Sequence, residues 1–444
     1  MTDQQHIHGP ILGCIADDLT GGAELASMLI ARGIPTGFTI GAGTPLAEDC
    51  HAYVIALKSR VIPAAEAVTH VVAAADRLLE QGCRQFFFKY CATFDSTPRG
   101  NIGPCAEALL DHLGADFTMF CPTLCEVGRT VYQGHMFAGA QLLSESPKRH
   151  DPLTPMTDSN LVRVLAAQSK RAVGLIAFQD VDRGPEAIRE RIEALRRAGT
   201  PLAIVDAMRE RDLEVIGEAA ADLRLMTGNS SVAAHLPPAW RRRGWIGMPE
   251  MAPLPGVQGR AAVIAGSVAE RTAVQLGEFA RNHPTMMLDL RRAMEGEDLL
   301  AEALIFARSL APNEPLGFGT AMAPDEIAKL QARYGVTAVA ARAEAILSDI
   351  ADHLVSELKV RRLIISGGET AGAVLKKLKI TRLRIGAYEG PGISRAVTED
   401  ANPIALVLKS GKLGPVDMFI PVLDAMRRPA EITPLYDRWP PAQR

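Results

Sequence analysis

Short runs of consecutive apolar residues recur along the chain, each closed by a Gly- or Asp-containing turn and followed by a stretch with helical periodicity. Runs of this kind suit strands buried on both faces, and their alternation with amphipathic helices is the signature of parallel sheets with helical crossovers. In the first part the pattern predicts strands over 11–16, 36–40, 52–57, 85–90, 116–121, 172–178, 202–205 and 223–227, with helices such as Gly22 to Arg32 and Pro185 to Arg197 between them. In the second part it predicts strands over 260–267, 285–290, 316–320, 362–368, 383–388 and 404–411, with a long helix through 336–358. Between the halves, HLPPAWRRRGWIGMPEMAPLPGVQGR is rich in Pro, Gly and Arg and sustains neither period, so it reads as a linker. The expected architecture is α/β with two domains, 1–245 and 246–444, each a largely parallel sheet flanked by helices.

Composition narrows the function more than the fold. A chain of 444 residues exceeds one ordinary core. Its 48 Lys and Arg against 51 Asp and Glu leave a net charge of −3, which implies no basic surface for nucleic acid and points to small-molecule partners. No apolar run reaches the roughly 18 residues of a membrane span, and the polar start MTDQQHIHGP lacks the apolar centre of a signal peptide. Seven cysteines at scattered spacings suit a reducing compartment, so the expected location is the cytoplasm. Cys121 and Cys125 form a C-x-x-x-C without a second ligand pair, and structural thiols explain them better than a metal.

In open α/β sheets ligands bind beyond the carboxyl ends of strands, and four such ends carry unusual chemistry. After the first strand, IADDLTGGAELA places Asp17 and Asp18 together ahead of a helix. One aspartate suffices as a cap, so the pair points to ligand contact or catalysis. KYCATFDSTPRGNIGP gathers Lys89, Asp95, Ser96, Thr97, Arg99 and Asn101, a set suited to an acidic, hydroxylated ligand, and Arg60 in ALKSRVIP adds a second cation. In RLIISGGETAGAVLKK, Gly367 and Gly368 let backbone amides approach a ligand at a helix start, with Glu369 and Thr370 next. AGSVAERTAVQL repeats the device with Gly266 and Ser267, so the second domain is expected to cradle a polyphosphate. His135 stays open between packing and ligand contact.

Several fingerprints are missing: G-x-x-x-x-G-K-[ST], a helix-opening G-x-G-x-x-G after a first strand, D-F-G with H-R-D, G-x-S-x-G and H-E-x-x-H. A nucleotide site here is of another kind.

Seven ordered segments, GCIADDLTGGAELASML, ALKSR, KYCATFDSTPRGNIGP, GRTVYQGHMF, HDPLTPMTDSNLVRVLAAQ, AGSVAERTAVQ and SGGETAGAVLKKL, make the chain resemble the four-carbon acid sugar kinases, above all their 3-oxo-tetronate kinase branch. The resemblance implies an amino-terminal domain that binds the sugar acid, a carboxyl-terminal domain that binds ATP with Mg²⁺, and an active site in the cleft between domains. It assigns catalysis to Asp17 and Asp18, with the acid contacted by Arg60, Lys89, Asp95, Ser96, Thr97 and Arg99. The nucleotide falls to Ser267, Gly367, Gly368, Glu369, Thr370 and Gly411; the metal ligands stay unassigned. Departures in CPTLCEVGRT, TGNSSVA and AYEGPGIS, and Glu24 where Asp is common, bear on the acid more than on the phosphate loop. A related acid (3-oxo-isoapionate, threonate or erythronate) and a catalytically silent nucleotide-binding regulator are the alternatives. A homodimer is expected from the prevalence of two-fold assemblies.

Overall fold

The computed structural model describes residues 9–151, 153–248, 251–320, 322 and 324–431. The chain forms two compact units, the first reaching Met251 and the second beginning at Ala252.

The first unit contains β1 (Leu12–Ala16), β2 (Thr36–Ile40), β3 (Ala52–Ala56), β4 (Gln85–Lys89), β5 (Thr118–Cys121), β6 (Arg129–Tyr132), β7 (His135–Ala138), β8 (Gln141–Leu142), β9 (Val173–Ile176), β10 (Leu202–Val205) and β11 (Leu225–Gly228). Its main sheet runs β2-β3-β1-β4-β11-β5-β10-β9, with parallel pairing throughout. The chain leaves β1 for β2 and β3 on one side and returns through helix Ala64–Glu80 to β4 on the other. That reversal makes the carboxyl end of β1 a topological switch point, where such sheets open a crevice. The strands are buried on both faces, which is why they read as unbroken apolar runs.

Phe86, Phe88, Tyr90, Phe94 and Phe120 belong to the core on one side of this sheet, each worth about 1.5–3 kcal/mol of burial for its apolar part. Tyr90 packs edge-on against Phe88 and Phe94, with ring centroids 5.8 and 5.3 Å away, and its hydroxyl meets Thr227 Oγ1 at 3.1 Å. These contacts anchor the loop that follows β4.

The second unit contains β12 (Arg260–Ala265), β13 (Thr285–Met287), β14 (Leu316–Gly319), β15 (Val360–Ser366), β16 (Arg382–Ile385), β17 (Ile393–Val397) and β18 (Ala405–Lys409), in the order β13-β14-β12-β15-β18-β17-β16. β12 through β15 and β18 pair in parallel, whereas β17 runs antiparallel to both β18 and β16. Here the switch point falls between β12 and β15. Helix Val336–Ser356 bridges β14 and β15 in the chain, as its periodicity predicts.

Three features differ from the sequence reading. β17 has no expected counterpart, because ISRAV is short and carries a buried polar pair, Ser394 and Arg395. A three-stranded antiparallel ribbon, β6-β7-β8, fills residues read as loop. The first part of the Pro- and Arg-rich stretch is helix Leu236–Arg242, begun by prolines in its first turn and fixed by a fully buried Trp240. All seven cysteines are free, and among the described residues no helix is long and apolar enough to cross a membrane.

Candidate active site

In the first unit the switch point holds a compact charge cluster. Asp18 adopts extended backbone and caps helix Leu19–Ala31: its Oδ1 accepts from Gly21 N at 3.2 Å and its Oδ2 from Thr20 Oγ1 at 2.7 Å. Arg60 donates Nε and Nη2 to the two oxygens of Asp17 at 2.8 and 2.7 Å, and Nη2 also reaches Asp18 Oδ1. The guanidinium that the sequence offered as a clamp for the acid is therefore engaged by both aspartates. Lys89, buried at the end of β4, donates Nζ to Tyr90 O at 3.0 Å and adds its field to Asp18.

The two aspartates stand in different environments. The Asp17 side chain is 4% exposed and that of Asp18 21%. Burial pushes the Asp17 carboxyl above its ordinary value, against the pull of Arg60. Burial also opposes the charge on Asp18, but Arg60, Lys89, the Thr20 hydroxyl and the Gly21 amide outweigh it and hold that carboxyl down at about 2. Asp18 is thus an ionised, partly accessible carboxylate, and Asp17 a buried one clasped by Arg60. Gly21 is required by space: a Cβ there would stand 2.3 Å from Asp18 Oδ1 and 2.6 Å from Lys89 Nζ.

The loop after β4 is pinned beside this cluster. Asn101 precedes helix Ile102–Leu113 but does not cap it. Its Nδ2 instead donates to the carbonyls of Ser59 at 2.7 Å, Ile62 at 3.1 Å and Arg60 at 3.4 Å, tying the Arg60 loop to the loop after β4. Asp95 accepts from Thr93 Oγ1 at 2.5 Å and pairs with Lys148 Nζ at 2.9 Å; Lys148 also meets Asp151 at 2.7 Å. Ser96 Oγ and the Gln168 side chain lie 2.9 Å apart, Thr97 Oγ1 accepts from Arg99 N at 3.3 Å, and the Arg99 side chain is exposed. Half-buried Cys91 lies in the fields of both Arg60 and Asp95, and Arg129 in those of Cys91 and Asp95, so the two halves of the site are continuous. Lys148, Arg129 and Gln168 were given no role from the sequence: Arg129 and Gln168 lie inside segments that carry the resemblance but with no chemistry marked on them, and Lys148 lies outside those segments. His135 is held through Nδ1 by Gln133 O at 2.8 Å and through Nε2 by Asn160 Nδ2 at 3.3 Å, which favours packing.

In the second unit the glycine turns converge. Gly367, at φ +116°, opens helix Gly368–Lys377 without any side-chain cap, and its amide donates to Lys409 O at 2.9 Å. A Cβ on Gly266 would stand 2.2 Å from Thr370 Oγ1, and one on Gly411 2.0 Å from Ser267 Oγ. Ser267, Gly367, Thr370 and Gly411 therefore line one junction at the ends of β12, β15 and β18; Gly368 and Glu369 form the first turn of the helix there. Thr272 Oγ1 meets Ser366 Oγ at 2.9 Å and donates to Gly411 O at 2.8 Å, while Gln275 Nε2 donates to the carbonyls of Leu413, Gly414 and Pro415. Helix Glu270–Ala280 thereby fixes the loop that brings Gly411 in. An uncapped helix start among glycines, with a hydroxyl on either side, fits an anionic phosphate chain. Among the described residues no group of three or more His, Cys, Asp or Glu gathers to hold a metal.

The comparisons agree with this division. A sugar-binding N-terminal domain model matches residues 12–236, and a nucleotide-binding C-terminal domain model matches residues 262–419. A 3-oxo-tetronate kinase from Burkholderia multivorans is 47% identical over 419 residues, covering 94% of this chain and 97% of its own. One from Cupriavidus necator is 45% identical, covering 94% and 98%. The crystal structure of a Salmonella typhimurium LT2 protein, 38% identical, superposes with a TM-score of 0.82 over 93% of this chain and 98% of its own. With matches of this extent in both units, the chain belongs to the four-carbon acid sugar kinase family.

Proposed function

We propose that this protein is an ATP-dependent kinase that phosphorylates a hydroxyl of 3-oxo-tetronate to give 3-oxo-tetronate 4-phosphate. The observation that carries the reading is the charge cluster at the first switch point, where an accessible, ionised Asp18 is held by Arg60 and Lys89 in a chain 47% identical to a 3-oxo-tetronate kinase. The first unit is the acid's side and the second the nucleotide's. Phosphoryl transfer depends mainly on positioning and on neutralising charge, which suits a fixed cluster of this kind.

The substrate hydroxyl oxygen bonds to the γ-phosphorus, the bridging bond to ADP breaks, and the hydroxyl proton passes to Asp18. Asp17 holds Arg60, and Arg60 in turn fixes the carboxylate of Asp18. Lys89, Asp95, Ser96, Thr97 and Arg99 contact the acid, with Lys148 and Arg129 setting the charge around Asp95. Ser267, Gly367, Gly368, Glu369, Thr370 and Gly411 contact the nucleotide. A carboxylate of the site would help the nucleotide's phosphates to hold Mg²⁺, which would neutralise part of their charge. A cytoplasmic homodimer completes the proposal, and light scattering on the purified protein gives its mass.

The test is ADP release with Mg·ATP against 3-oxo-tetronate, 3-oxo-isoapionate, threonate and erythronate. Turnover fastest with 3-oxo-tetronate and abolished in Asp18→Asn supports the reading; preference for another acid reassigns the substrate. Nucleotide binding with no turnover on any acid sinks the kinase assignment in favour of a silent regulator.

A further inference from the structure

β18 lies between β15 and β17 and ends at Lys409, a lysine that is 0% exposed. Its backbone carbonyl accepts from Gly367 N at 2.9 Å, so the residue borders the cap of the phosphate-facing helix directly. Its side chain stays at the same junction. Nζ donates to Ser366 Oγ at 3.3 Å and to Ser410 O at 2.5 Å, and Ser366 Oγ also meets Thr272.

Both acceptors are neutral. An ammonium group carries three donors and a full charge, and burying that charge beside neutral oxygens is costly unless an anion arrives. Among the described residues no carboxylate forms an ion pair with Lys409. Half-buried Lys148 is matched by Asp95 and Asp151, and Lys89, nearly as deep as Lys409, has the charge of Asp18 beside it. What lies beside Lys409 instead is the glycine junction: Gly367 N donates to its carbonyl, and Thr272, which meets the same Ser366 hydroxyl as Nζ, donates to Gly411 O.

We infer that the ammonium of Lys409 is the second unit's own counter-charge for the phosphate chain of the bound nucleotide, kept inside the glycine junction for that purpose. The inference rests on the nucleotide role proposed for this unit. It adds a side chain that the motif left out, because a lysine ending the strand IALVLK reads as an ordinary strand terminus. The electrostatics agree: burial, with the field of Arg271 added, lowers the amine to about 8. The charged side chains at the near ends of the elements around it are Glu270 and Arg271 on helix Glu270–Ala280, Glu369 on helix Gly368–Lys377, and Lys412 in the loop after β18, with Arg395 farther along β17; of these, Arg271 is the one whose field acts on the amine. A phosphate chain seated against Nζ restores the proton.

Two measurements test this. In Lys409→Met, which keeps the length and removes the charge, ADP affinity falls by about 30-fold or more, AMP affinity measured by competition falls less, and the melting temperature without nucleotide holds or rises. In the wild-type chain at pH 8.5, calorimetry of ADP binding in buffers of different ionisation enthalpy shows net proton uptake. An unchanged ADP affinity in Lys409→Met overturns the inference, as does an equal loss for ADP and AMP with a lowered melting temperature, which marks a structural lysine. Binding of ADP to the wild type without proton uptake also overturns it while leaving the nucleotide role intact. A wild-type chain that binds no ADP defeats both.

Discussion

Gly21→Ala sets helix propensity against site geometry, and the structure gives the size of each. Gly21 lies in the first turn of helix Leu19–Ala31, where alanine is favoured over glycine by about 1 kcal/mol in a free helix. Its φ is not positive, so the backbone accepts a side chain. The new methyl, however, would meet Asp18 Oδ1 at 2.3 Å and Lys89 Nζ at 2.6 Å, where ordinary contact begins at 3.4 Å. The carboxylate must retreat by about 1 Å, and it is fastened by Arg60, Thr20 and its own cap bond. A displacement of that size at a reacting group costs on the order of 100-fold in rate. The expected result is a melting temperature within a few degrees of wild type and turnover down by about 100-fold, read by coupled ADP release with 3-oxo-tetronate. Gly277→Ala is the control: beyond its own turn of helix nothing lies within 4 Å of its added Cβ, and it stabilises by about 0.5–1 kcal/mol at full activity. Turnover of Gly21→Ala within about threefold of wild type would refute the argument that this glycine leaves room for the charge cluster.

Asp18 also predicts acid behaviour. Its folded value of about 2 lies below the ordinary 3.8, so its ionised form stabilises the fold above pH 3.8, and that contribution is lost as pH falls through about 2. It is worth about 2 kcal/mol at 1.36 kcal/mol per unit, and Asp18→Asn flattens the stability curve between pH 4 and 2 in denaturant titrations. Asn101→Ala removes the donor shared by three carbonyls and lowers stability by about 1–3 kcal/mol in urea unfolding; Asn101→Asp, which cannot donate, does no better. Gly411→Ala drives a methyl into Ser267 Oγ and weakens ATP binding at least about tenfold by calorimetry, while the affinity for the acid is unchanged.

The strands were legible because parallel strands covered on both faces leave little room for polar letters, as in LGCIA and AYVIA. β17 was not, since Arg395 turns back to Glu389 and the Ala425 carbonyl within the fold, a solution no local pattern displays. The site divides the same way. Asp17, Asp18 and the glycine turns announce themselves because their spacing exceeds what a turn needs. Lys148 and Gln168 do not, because each matters through a partner more than 50 residues away, Asp95 and Ser96 respectively. Arg60 was visible as a cation, but its engagement by two carboxylates depends on β3 ending beside β1, which is a property of strand order.

The side-chain amide of Asn101 has a consequence for how such an enzyme can diversify. By fastening the backbone around Arg60 to the root of the loop after β4, it makes the Asp17 and Asp18 carboxylates and that root a single rigid piece. The tip of the loop, with Arg99 facing solvent, stays outside the piece. Substitutions at the tip can then accumulate without moving the groups proposed to perform the transfer. A selection scheme seeking new acids should vary Thr97–Arg99 first and hold Asn101 fixed.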